Sequence, residues 1–94
     1  MQITEVRITL RDDQKLKAFA SITIDDCFVV RGLKVIEGSD HKVFVAMPSK
    51  KKNDGTYQDV AHPINNDCRR ALEEAVLAAY RREKARQHTV VGSG

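Results

Sequence analysis

Three consecutive lysines, Lys50-Lys51-Lys52, and an adjacent pair of arginines, Arg69-Arg70, are the groupings in this chain with the clearest chemical potential. Ammonium groups clustered on a protruding loop bind polyanions, because each phosphate they neutralise releases condensed counterions. Lysines act there as point charges and read little sequence. A guanidinium fork instead pairs in bidentate fashion with phosphate or a guanine edge. Asn66 precedes the arginines at a helix start, where free backbone amides attract phosphate. The competing reading is ordinary: lysines that solvate a loop, and arginines paired with Glu73 and Glu74, worth about 0.3 kcal/mol per pair. Cations at a helix start oppose the macrodipole, which favours a purpose other than helix stability.

Other groupings read as structural. Arg81, Arg82, Lys84 and Arg86 form a basic helix end that complements the C-terminal dipole. Arg7, Arg31 and Lys34 alternate with apolar residues and face solvent on strands. His62 could be drawn with Asp59 and a cysteine as a nucleophile–base set, but the spacing matches no catalytic signature, and no enzymatic role is expected. Gly32, Gly38 and Gly55 are isolated, so no glycine-rich phosphate loop exists. Cys27 and Cys68 lie too far apart for a metal-binding pair and read as reduced thiols. No metal, cofactor or small-molecule substrate is expected.

The elements that must position these groups are legible from periodicity. Val6, Ile8 and Leu10 alternate with polar residues over 2–10, and Leu16, Ala18, Ala20, Ile22 and Ile24 do so over 15–24, both strand patterns. Asp12-Asp13-Gln14 and Asp25-Asp26 read as turns. A third extended segment begins at Cys27, and Gly32 within it predicts a bulge before Leu33–Ile36. Residues 42–47 form a further strand that Pro48 ends. The lysines then fall on a hairpin loop containing Asp54-Gly55, with Tyr57–Ala61 expected to return beside residues 43–47. After His62-Pro63, Asn65 or Asn66 supplies an N-cap. Cys68, Ala71, Leu72, Ala75, Val76, Ala79 and Tyr80 then make one apolar stripe on a helix of about 20 residues, roughly 30 Å long.

These elements predict an α+β fold: an antiparallel β-sheet of five or six strands, followed by one long C-terminal α-helix across one face. Residues 1–87 form a single domain and residues 88–94 a flexible C-terminal tail. One helix covers one sheet face only, which leaves Phe19, Phe28 or Phe44 for the other face or an edge and predicts a homodimer. The chain has 94 residues, 41% hydrophobic and 31% charged, with no apolar run long enough for a bilayer and no signal-peptide pattern. A cytoplasmic protein is expected, with no membrane partner. Its net charge of +3 hints at an anionic partner more weakly than the clustering does. The alternative is a protein-interaction module that works through its sheet edge, with the positive charge incidental.

The stretches Val43-Phe44-Val45-Ala46-Met47-Pro48-Ser49-Lys50 and His62-Pro63-Ile64-Asn65, with Ala20–Asp25, Phe28–Val30 and Lys34–Gly38, resemble the SpoVG family in one register from Met1 to about Tyr80. Three lysines stand where many members show Lys-Arg. The resemblance implies a small dimeric bacterial regulator that binds DNA, and in some members RNA. It also implies a link to sporulation, septation and gene regulation, and no catalytic activity. On this basis Lys50, Lys51, Lys52, Asn66, Arg69 and Arg70 are the expected nucleic-acid-binding residues.

Overall fold

Alternating apolar residues give β1 (Ile3–Leu10) and β2 (Leu16–Ile24), which pair antiparallel. The chain then reverses through a three-residue loop, 25–27, in which Asp25 and Asp26 are both left-handed at φ 51° and 56°. The Cys27 N–H donates to the Ile24 carbonyl at 3.0 Å to close it. The same turn anchors the chain start: the Gln2 N–H donates to Asp25 Oδ1 at 2.9 Å, and the Asp26 N–H donates to Thr4 Oγ1 at 3.0 Å. Next come β3 (Phe28–Glu37) and β4 (Val43–Ala46), completing a four-stranded sheet in the order β1-β2-β3-β4. This computed structural model describes residues 2–11 and 13–93, with side chains through Arg86 at the C-terminal end.

The bulge predicted at Gly32 is present. Ala20 pairs with Leu33 but Ile22 pairs with Val30, so Arg31 and Gly32 together face Ser21. Gly32 has φ 87°, and a Cβ there would lie 3.3 Å from the Cβ of Pro48. A left-handed non-glycine residue costs about 1–2 kcal/mol before any crowding. Gly32→Ala is therefore expected to lower the melting temperature by roughly 5–15 °C, read by circular dichroism. An unchanged melting temperature would show that the bulge relaxes into another register.

The strand count divides differently from expectation. Six strands form among the described residues, but only four share the main sheet; β5 (Ser49–Lys51) and β6 (Tyr57–Asp59) make a separate two-stranded ribbon. Tyr57–Asp59 returns beside Ser49–Lys51, not beside residues 43–47. Pro48 explains the change, since it cannot donate to a ladder and so ends pairing at the end of β4. The last element is α1 (Asn66–Ser93), 28 residues long. The flexible tail expected over residues 88–94 lies outside the described side chains.

The core forms between one sheet face and α1. Ala18, Ala20, Ile22, Leu33, Val35 and Val45 meet Leu72, Val76 and Tyr80, and Val6, Ile8 and Leu10 pack at the margin. Among the described residues no helix covers the opposite sheet face. There Phe19 is half-buried with the Arg11 guanidinium 5.5 Å from its ring centre, and Phe44 on β4 remains 45% exposed. Phe28 is more exposed still, at the start of β3. Among the described residues, no helix is long and apolar enough to cross a membrane.

Candidate functional site

The β5–β6 ribbon carries the lysines, though not as a simple loop. Lys50 and Lys51 lie on β5, opposite Gln58 and Tyr57, and only Lys52 enters the turn. Alternation therefore sends Lys50 and Lys51 to opposite faces of the ribbon. The turn itself is a three-residue loop. The Gly55 N–H donates to the Lys52 carbonyl at 3.1 Å, Gly55 is left-handed at φ 88°, and the Lys52 N–H donates to the Thr56 carbonyl at 2.7 Å. Asp54 accepts from the Thr56 N–H at 3.0 Å and from its hydroxyl at 2.6 Å. These bonds hold the Asp54 carboxyl below its ordinary pKa, the hydroxyl contributing most. The one acid at the tip is thus committed to Thr56.

Every residue from Ser49 to Val60 is exposed. Lys50, Lys51 and Lys52 line a shallow surface depression with Asn53, Asp54 and Gln58. No carboxylate lies within 4 Å of any of the three amines among the described residues. The ribbon is rooted to the chain at its base by the Val60 N–H, which donates to the Pro48 carbonyl at 2.7 Å.

The second group sits at the start of α1. The sequence left the cap open between two asparagines, and the structure assigns it to Asn65, whose Oδ1 accepts from the Cys68 N–H at 2.7 Å. The Arg69 N–H donates to the Asn65 carbonyl at 3.1 Å, the first helical bond. Asn66 and Asp67 then open the first turn, and Arg69 and Arg70 are exposed just beyond it. Asn66, Arg69, Arg70, Glu73, Glu74, Leu77 and Arg81 line one open depression. Neither arginine is ion-paired within 4 Å among the described residues, although Glu73 and Glu74 follow at i+4. An arginine placed N-terminal to its glutamate is the weaker orientation of such a pair, which accounts for the open arrangement. Asn65→Ala is expected to cost about 1 kcal/mol and to fray this turn first, seen as faster amide exchange at Cys68 than at Val76. Equal exchange at both would remove Asn65 as the cap.

The six predicted residues therefore fall into two sets, Lys50–Lys52 on the ribbon and Asn66, Arg69 and Arg70 on the helix, lining depressions that share no residue. Sequence reasoning missed Asn53 and Gln58 beside the lysines. The signal was present in the hairpin register, because Gln58 follows once Lys50 is placed on a strand. His62 serves locally, its Nδ1 lying 3.0 Å from the Pro63 carbonyl. Among the described residues no cluster of three His, Cys, Asp or Glu side chains could hold a metal ion.

Fold and site together define a small α+β protein that presents, on different elements, two exposed cationic groups without an ion-pair partner among the described residues. The sequence model of the SpoVG family matches residues 1–82, and the chain belongs to that family. A septation protein SpoVG of Anaeromyxobacter sp. (strain Fw109-5) is 53% identical over 83 residues, covering 88% of this chain and 84% of the relative. One from Myxococcus xanthus (strain DK1622) is 52% identical, covering 87% and 82% respectively. One from Staphylococcus carnosus (strain TM300) is 49% identical over 85% and 75%.

Proposed function

We propose that this protein is a non-catalytic cytoplasmic regulator that binds DNA or RNA as a homodimer, in processes tied to septation or sporulation and to gene regulation. Lys50, Lys51 and Lys52 grip phosphates, while Asn66, Arg69 and Arg70 add phosphate contacts and sequence bias. The observation that carries this reading is that five cations stand exposed with no carboxylate partner among the described residues. Solvated, unpaired cations gain most from a polyanion, because binding them breaks no existing ion pair. The names of the relatives support the tie to septation.

Fluorescence anisotropy with random-sequence duplex DNA, single-stranded DNA and RNA tests it. Binding should weaken linearly on a log–log salt plot, with a slope near −0.9 per phosphate neutralised on duplex and about −0.7 on single strands. No binding to any of the three at low salt rejects the reading. A protein-interaction module is favoured instead by exposed Phe28, Phe44, Tyr57, Val60 and Ile64. Partners that survive nuclease treatment of a lysate would support that alternative.

A further inference from the structure

We infer that the sheet face turned away from α1 is a second nucleic-acid surface, which takes single-stranded RNA or DNA by stacking unpaired bases on its side chains. This rests on the nucleic-acid reading above and adds a surface that neither the ribbon nor the helix start supplies. Cross-strand partners share a face, so the register fixes what stands there. One row reads Thr9, Phe19, Lys34 and Ala46 across β1, β2, β3 and β4. The row to one side places Ile36 beside Phe44. The row to the other side sets Arg7 opposite Ser21, with Arg31 in the bulge beyond it. Ala18, Val35 and Val45 point the opposite way, into the core.

Two rings anchor this face. Phe44 is 45% exposed, and Phe19 is half-buried with the exposed Arg11 guanidinium 5.5 Å from its ring centre. A base can stack on the Phe44 ring and on the guanidinium plane that Phe19 backs, since each offers a flat π-system. Strand and residue spacings put the two rings about 12 Å apart, so each takes its own base. The charge suits the chain that links those bases. Arg11, Arg31 and Lys34 are exposed with no carboxylate within 4 Å among the described residues, and Glu5 on β1 is already neutralised by Arg7 at 2.7 Å. A single strand brings phosphates to those cations and open base planes to the rings. A duplex keeps its base planes stacked inside and offers a flat face phosphate alone. Neither cationic depression described above is lined by an aromatic ring, so stacking here complements phosphate contacts there.

The test uses the full chain and three labelled probes: a short uridine RNA, the matching thymidine DNA, and a mixed-sequence duplex, titrated by anisotropy at one moderate salt. Phe44→Leu removes the ring but keeps an apolar side chain at an exposed position, and circular dichroism verifies its fold. This variant should weaken the single-stranded probes at least about fivefold and leave the duplex unchanged. Lys34→Gln should lower the single-strand salt slope by about 0.7. Bromouridine placed in the RNA should photocross-link to the peptide that carries Phe44, read by mass spectrometry. The single strand that the parent binds more tightly identifies RNA or DNA as the one this face serves. A loss shared equally by the duplex overturns the stacking assignment. Unchanged single-strand binding, with cross-links confined to the ribbon and the helix start, gives the face to a protein occupant and leaves the nucleic-acid reading standing. A parent that binds none of the three probes overturns both.

Discussion

Alanine at Lys50, Lys51 and Lys52 together is expected to weaken binding to every nucleic-acid sequence alike and to flatten its salt dependence. Losing three phosphate contacts removes about 2–3 from the log–log slope per chain. Affinity at moderate salt should fall at least about tenfold, or roughly 1.4 kcal/mol. Because all three side chains are exposed and unpaired among the described residues, the melting temperature should hardly move. Anisotropy titrations over a salt series, with circular dichroism alongside, read both quantities. A slope identical to that of the parent would remove the ribbon from the interface. Glutamine at Asn66 or alanine at Arg69 should instead alter preference among sequences more than overall affinity, since amide and guanidinium groups pair in bidentate fashion with base edges.

The largest effect on stability is expected from Leu33→Ala. Leu33 is fully buried and belongs to the cluster that α1 closes through Leu72 and Val76. Removing a buried leucine costs about 2–5 kcal/mol through lost transfer energy and the residual cavity. A chain of 94 residues carries on the order of 5–14 kcal/mol of total stability, so this is a large fraction of it. The melting temperature should drop by roughly 10–30 °C, and the urea midpoint should fall with little change in its slope. A loss below about 1 kcal/mol would mean that the sheet and helix close onto the gap.

The parts of the fold governed by a strong period were readable in the chain. Ala18, Ala20 and Ile22 alternate and are buried, and Leu72, Val76 and Tyr80 recur at helical spacing and are buried. Gly32 announced its bulge because a glycine inside a strand pattern has few other uses. The ribbon was only half legible. Ser49–Lys51 and Tyr57–Asp59 are exposed throughout, so no buried face selects their partner, and pairing followed from Pro48 and the turn alone. The cap was ambiguous for a similar reason: Asn65 and Asn66 carry the same amide, and only the bond to the Cys68 amide separates them. The candidate site was legible as residue types but not as geometry, since nothing in the spacing says that the two cationic sets occupy different depressions.

The ribbon hangs from the body at one proline-marked root and buries none of its own side chains. Its sequence is accordingly decoupled from the folding unit: residues there can change without disturbing the packed interior. Grafting the eleven positions from Ser49 to Asp59 between relatives should therefore leave the melting temperature nearly unchanged, whatever charge the graft carries.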